Sequence, residues 1–346
     1  MADSRSSIAA SEAPADSSAG ASAQEGRTPT EPCFTDFLFH QRRKHGKYRV
    51  IDGPDPALEG PVADTHCHLA PLGFRAASMA RAAAWGVDFA CDVCDPAEDA
   101  AETFARLSSW EAEARAWAAA VDDAPAAPAA PVRYRLAVGV HPHNASYWGA
   151  GTESELKRYL ADPRTAAVGE VGLDYYYDLS PREAQRAVFR AQIRIAHETG
   201  LPLALHIRDA HAEALAILDE EGFPEAGTIL HCCSLPPAEL EPWIDRGCFI
   251  AYGGAVTFKK LDDARAGARL VPADRLLTET DCPYMTPEPL RGIENGSEYI
   301  VFTAAMLAEV RGARPGEDRR RFLAQLHANA TGLLDRKPTA WQLSAR

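Results

Sequence analysis

The chain has 346 residues, 46% of them hydrophobic and 25% charged, a soluble globular make-up with apolar material for one large core, which argues against fibre and coiled coil. A single α/β barrel of about 250 residues with flanking tails accounts for the length. The formal charge of −13 argues against a generally basic nucleic-acid-binding surface, but a bound cation reverses the field locally and leaves a phosphate-handling metal pocket open. The eight cysteines lack the dense spacing of a small secreted scaffold and read as reduced thiols of a cytoplasmic protein. Cys91-Asp-Val-Cys94 matches C-x-x-C but stands alone inside an apolar strand, as a buried structural pair would. No apolar run approaches ~20 residues and no basic-then-apolar leader opens the chain, so the reading is neither membrane-bound nor secreted.

Residues 1 to about 30 are rich in Ala, Ser, Gly, Glu and Pro without hydrophobic periodicity, the composition of a disordered segment. Residues 33–50 add a few aromatics and the basic cluster Arg42-Arg43-Lys44-His45-Gly46-Lys47-Tyr48-Arg49, which has the charge to contact nucleic acid but is read first as a solvated lead-in that extends the disordered N-terminal tail over 1–50. On this reading 1–50 are dispensable, 51–335 form the barrel and 336–346 are a short C-terminal tail. From 61 onward, β-rich runs alternate with helical stretches, the sign of parallel βα units. Strands are predicted at 61–66, 87–93, 134–140, 166–171, 202–207, 228–231, 248–252 and 275–280. Helices are predicted at 75–85, 97–120, 153–160, 181–199, 210–221, 238–246, 298–310 and 316–334. Eight units close a (β/α)8 TIM-type barrel, with the Ala/Pro-rich stretch 122–131 as a surface insertion.

The first barrel strand runs into Asp64-Thr65-His66-Cys67-His68. Side chains alternate along a strand, so His66 and His68 project together while Cys67 turns away. Glu170 ends the fourth strand between glycines, His206 the fifth and His231 the sixth, and Asp281 follows the eighth just before a proline-bounded loop. Each alone fits a satisfied core histidine, a strand-end ion pair or a turn cap. Together they bring four histidines and two carboxylates to the C-terminal rim, where barrel active sites form, as an N/O ligand set suited to two divalent ions. Cys67, Cys232 and Cys282 adjoin ligand candidates and so point away from them.

The chain resembles the TatD-type metal-dependent deoxyribonucleases of the amidohydrolase superfamily from about 61 to 334. The likeness rests on Asp64-Thr65-His66-Cys67-His68, Gly139-Val140-His141-Pro142-His143, Gly169-Glu170-Val171-Gly172-Leu173-Asp174-Tyr175, Leu205-His206-Ile207-Arg208, His231-Cys232, Thr257-Phe258-Lys259 and Glu279-Thr280-Asp281-Cys282-Pro283-Tyr284. It implies metal ligands at His66, His68, Glu170, His206, His231 and Asp281, with Glu170 bridging two ions (Mg2+, Mn2+ or Zn2+). Cys232-Cys233-Ser234-Leu235 stands where the family often has Phe-Ser-Gly, a difference in a loop that shapes the pocket. His141 and His143 are read as substrate-phosphate contacts or as groups orienting a ligand.

The expected reaction is exonucleolytic hydrolysis of DNA phosphodiesters, on single strands or DNA ends, with Asp281 and Glu170 as the catalytic carboxylates and Asp281 taking the proton of the attacking water. No obligate protein partner is evident. The alternative keeps fold and metals but attacks an ester or amide, as an aminoacyl-tRNA deacylase does. Many amidohydrolases bridge their metals with a carboxylated lysine, and Glu170 at that strand favours the nuclease branch. A phosphatase of the polymerase-and-histidinol-phosphatase type shares Asp-x-His-x-His but not the Gly-Glu-x-Gly-Leu-Asp or Thr-Asp-x-Pro runs.

Overall fold

The computed structural model describes residues 34–54, 58, 60–121 and 131–345. The readings of 1–33 as disordered and of 122–131 as an insertion lie outside them, Pro131 and the residues from 34 on excepted. The chain runs β1 (Phe39–Arg42), β2 (Tyr48–Ile51), β3 (Val62–Cys67), α1 (Arg75–Ala84), β4 (Val87–Cys94), α2 (Ala100–Ala120), β5 (Arg133–Val138), α3 (Ala150–Leu160), β6 (Thr165–Asp174) and α4 (Arg182–Thr199). It continues with β7 (Leu203–Arg208), α5 (His211–Glu221), β8 (Thr228–Leu230), α6 (Pro237–Asp245), β9 (Phe249–Tyr252), α7 (Asp262–Leu270), β10 (Leu276–Thr278), α8 (Ile300–Val310), α9 (Glu317–Leu334) and α10 (Ala340–Ser344). Strands β3 to β10 lie in sequence order, all parallel, with helices between: the predicted (β/α)8 barrel. Among the described residues no helix is long and apolar enough to cross a membrane.

Two-residue alternation builds the interior. Phe89, Ala137, Ala167, Ile229, Ala251 and Leu277 form one cluster, closed off by Ala330, Leu333 and Leu334 of α9. Leu136, Val138, Leu203, Leu205, Ile250 and Leu276 belong to a second, larger cluster, with the helices. The inward parity then carries side chains to the C-terminal mouth: Ala204 leads to His206, Ile229 to His231, and Leu277 to Glu279.

On β3 and β6 simple alternation would fail, because Ala63 and Ala167 already face inward and would leave His66 and Glu170 outside. The ladders slip between Asp64 and Cys67 and between Val168 and Val171, and each slip turns the next side chains back to the interior. Gly172 (φ +149°) lets β6 pass so close to β7 that a Cβ there would collide with the carbonyl oxygen of His206.

β3 and β10 close the ring without a backbone ladder. Thr65 Oγ1 donates to Thr278 O (3.0 Å), Thr278 Oγ1 to Ala63 O (2.8 Å), and Asp64 accepts Thr280 N (2.9 Å) and Thr280 Oγ1 (2.7 Å).

Both predicted tails need correction. The described part of 1–50 holds the antiparallel pair β1–β2, with buried Phe39 packed on Trp85 (4.4 Å between rings) and Phe302 (4.9 Å). Within 336–346, Thr339 and Gln342 form a capping box on α10, and Gln342 Nε2 reaches Leu160 O (2.8 Å) and Thr165 O (3.1 Å). Helix α7 also lacks a counterpart among the predicted helices.

Candidate metal centre

At the mouth, Glu170 lies among the imidazoles of four strands. Its Oε2 is 3.4 Å from His66 Nε2 and 3.9 Å from His68 Nε2, while Asp281 Oδ1 is 3.9 Å and 3.6 Å from the same nitrogens. Its other oxygen, Oε1, is 2.7 Å from His206 Nδ1, 2.9 Å from His231 Nε2 and 3.9 Å from His141 Nε2. Among the described residues four groups have donor atoms close enough together for one cation; two of them, His66/His68/Asp281 and Glu170/His206/His231, consist of predicted ligands alone, and the others are His66/His231/Glu279 and His141/His143/His206. All six predicted ligand residues thus converge. Asp281 holds its position through left-handed backbone (φ 56°), a conformation that asparagine and aspartate tolerate better than most residues.

The donor set fits a cation. His66 Nε2 and His68 Nε2 stand 3.2 Å apart, and the His66 and His231 rings stack at 3.9 Å, so lone pairs converge where protonated rings would repel. His68 Nδ1–H donates to Val93 O (3.1 Å), which leaves Nε2 to face the site. Burial, and then the neighbouring His231, push His66 down in pKa; burial and His206 drive His141 well below the ordinary imidazole range. Burial opposes the charge of Glu170, but His231, His66 and His206 outweigh it and hold the carboxyl well below the usual range. Asp281 is held low against the same burial by its hydrogen bond with His68 and by His231. Both carboxylates are therefore ionised near neutral pH. Burial disfavours a charged His231, but Glu170 and Glu279 lift it well above its ordinary value, so a cation there must displace a proton.

His141 and His143 join the rim beside His206. His143 Nε2 is 2.9 Å from Asp174 Oδ2, and His141 Nδ1 accepts His143 N–H (3.2 Å). Cys67 Sγ faces Cys91 O (3.3 Å) and Cys282 Sγ faces Ser297 Oγ (3.9 Å); among the described residues no group of donors close enough to hold an ion includes a cysteine.

Two carboxylates that the sequence reading left without roles complete the centre. Asp174 Oδ2 takes both His143 and His206 Nε2 (3.0 Å), while its Oδ1 accepts Tyr176 N and Tyr177 N. Glu279, fully buried, has Oε1 3.4 Å from His231 Nδ1 and accepts Cys232 N–H (2.5 Å); its Oε2 has no hydrogen-bond partner among the described residues. Asp174 lies four residues from Glu170 on β6, and Glu279 lies just past β10, two residues before Asp281; that even spacing was the available signal. Helix α4 braces the rim with two buried glutamines. Gln192 Oε1 accepts Val140 N (2.7 Å) and its Nε2 donates to Val140 O (2.9 Å), beside His141, while Gln185 Oε1 accepts Asp174 N (2.8 Å).

A family model described as TatD related DNase matches residues 63–334. The chain belongs to this family of metal-dependent hydrolases. An uncharacterized metal-dependent hydrolase TatD of Mycobacterium tuberculosis is 34% identical over 266 residues, covering 74% of this chain and 92% of that protein. A 3'-5' ssDNA/RNA exonuclease TatD of Citrobacter koseri is 36% identical over 187 residues, 51% of this chain and 70% of that protein. Among solved structures, the TatD homolog YjjV of Escherichia coli K12 superposes with a TM-score of 0.66 at 24% identity, covering 80% of this chain and 98% of that one, a likeness of fold. Within the TatD-related match lie all six converging ligand candidates and both added carboxylates; β1 and β2 lie before it.

Proposed function

We propose that this TatD-family barrel hydrolyses phosphodiester bonds of single-stranded nucleic acid from an end, using two divalent cations (Mg2+, Mn2+ or Zn2+). His66, His68 and Asp281 would hold one, His206 and His231 the other, and Glu170, with an oxygen toward each histidine pair, would serve both. The carrying observation is the split of Glu170, with one oxygen toward each histidine pair. The exonuclease relative supports the substrate class. When bound, two such cations acidify a water and offset charge on the phosphoryl oxygens. Asp281, 14% exposed at its side chain, is the proton acceptor: it takes a proton from the attacking water and returns it to the departing oxygen. His141 and His143, 19% and 25% exposed, face the entering phosphate, with Asp174 fixing the orientation of His143.

Glu170→Gln tests this reading, because it keeps the volume of the side chain and removes the charge between the cations. The expected result is loss of one metal per chain, an unchanged fold and a fall of at least about 100-fold in hydrolysis of a single-stranded oligonucleotide in Mn2+. A variant that keeps two metals and near-normal turnover refutes the bridging role. Wild-type protein that deacylates aminoacyl-tRNA and leaves the oligonucleotide intact refutes the substrate class.

A further inference from the structure

The β1–β2 hairpin lies outside the family match, and the chemistry of the centre makes no use of it. It is nevertheless a built element. Arg81 Nε and Nη2 donate to Asp36 O (2.8 Å) and Phe34 O (2.6 Å), and Trp85 Nε1 donates to Phe37 O (3.0 Å). Gln41 Nε2 donates to Pro289 O and Arg42 Nη1 to Gly292 O, both at 2.8 Å. Those carbonyls belong to the segment that leaves the rim at Asp281. Asn295 Nδ2 ties that segment to Thr280 O (2.9 Å) and Tyr284 O (2.5 Å), so the hairpin is fixed relative to the catalytic mouth.

Its turn uses left-handed backbone at His45 (φ 61°) and Gly46 (φ 68°), closed by Arg43 N donating to Lys47 O (2.7 Å). This presents Arg43, Lys44, Lys47 and Arg49 to solvent, and no acidic residue occurs between Asp36 and Asp52. Many arginines elsewhere carry carboxylate partners, as Arg246 does with Asp219 (2.6 Å) and Arg194 with Glu221 (2.7 Å). Among the described residues, none of these four has a carboxylate in ion-pair reach; Arg43 and Arg49 bond only Gln41 Oε1, at 3.3 Å and 2.9 Å. The cationic band continues through exposed Arg291, stacked 3.8 Å over Phe258, to exposed Lys259. A chain of charge −13 repels a polyanion at long range, so a run of cations without carboxylate partners among the described residues supplies the attraction that the rest of the surface lacks.

We propose that the β1–β2 turn binds the sugar-phosphate backbone of the single-stranded nucleic acid that trails out of the catalytic rim, an inference that rests on the hydrolase reading above. An anionic membrane is the poorer fit, because the turn, residues 42–47, carries no apolar side chain to insert beside its cations, and exposed Leu38 and Val50 lie toward the other end of the hairpin.

The test compares the Mn2+-loaded full chain with R43Q/K44Q/K47Q, which spares the docking bonds of Gln41 and Arg42. Binding of a fluorescein-labelled oligothymidylate, read by anisotropy, should weaken about tenfold at low salt. The slope of log affinity against log salt should fall by about 2, at ~0.7 per lost phosphate contact. KM for the oligonucleotide should rise while kcat holds, and hydrolysis of bis(p-nitrophenyl) phosphate and thermal unfolding should match wild type. R43K/K44R/K47R should retain binding, as charge and not side-chain shape carries it. Unchanged oligonucleotide affinity and salt slope in the glutamine variant overturn the proposal, as does loss confined to phosphatidylserine vesicles. Failure of wild type to hydrolyse either phosphodiester overturns the hydrolase reading instead, and the anisotropy measurement still judges the hairpin.

Discussion

Asp92 on β4 is 1% exposed; its Oδ1 accepts Leu69 N (2.8 Å), just past His68, and its Oδ2 has no hydrogen-bond partner among the described residues. Burial lifts its carboxyl from 3.8 to about 7. The folded-state value is raised, so its contribution to stability is fully present below about pH 4 and is lost as pH rises toward 7, at about 1.4 kcal/mol per unit. Asp92→Asn removes this titration. The difference in Tm, variant minus wild type, should climb across pH 4–7 and level off above. A difference flat across that window would show that Asp92 does not titrate there. The legibility of the centre at this scale followed residue chemistry. His66, His68, Glu170, His206, His231 and Asp281 are metal-ligating types at or just past strand ends; parity places His206 and His231 inside, whereas Asp281 depends on its own left-handed backbone beyond β10. Asp174 and Glu279 escaped because a buried carboxylate serving a histidine looks, in sequence, like any strand-end acid.

At the scale of elements, alternation carries most of the barrel, but the inward turn of His66 and Glu170 depends on ladder slips that no local pattern encodes. Helix α7 escaped because its buried stripe is Ala264, Gly267 and Ala268, side chains too small to mark a hydrophobic period. The β1–β2 hairpin escaped for a different reason. Phe39 is buried by Trp85, Tyr299 and Phe302, partners up to 263 residues away in sequence. Phe39→Ala should therefore cost about 3–5 kcal/mol, read as a lower urea midpoint at unchanged slope. Truncation to Pro54 should lower Tm likewise, contrary to the dispensability read from the sequence alone. A truncated chain that unfolds at the wild-type temperature would show that the hairpin adds nothing to the stability of the barrel.

For the molecule as a whole, the decisive feature is the seam. Seven of the eight strand junctions are laddered; β3 and β10 meet through threonine hydroxyls, Asp64 and two backbone bonds just past the strand ends, from Asp281 N to His66 O and from His68 N to Cys282 O (both 2.8 Å). The proposed ligands His66 and His68 stand on one side of that seam and Asp281 on the other. A cation held by all three would link the edges where the backbone ladder is absent. Binding only to the folded state, it stabilises by about 2.7 kcal/mol per site when free metal is 100-fold above Kd. The gain should be uneven. Amide hydrogen exchange with Mn2+ against EDTA should show the largest added protection in 62–68 and 276–282, and little in β4 and β5, which carry no ligand and are laddered on both sides. Glu170→Gln should keep part of the seam protection, since His66, His68 and Asp281 remain, and lose the gain at β7 and β8. Equal protection around the whole ring, or none at the seam, would mean that the cations sit in the barrel without closing it.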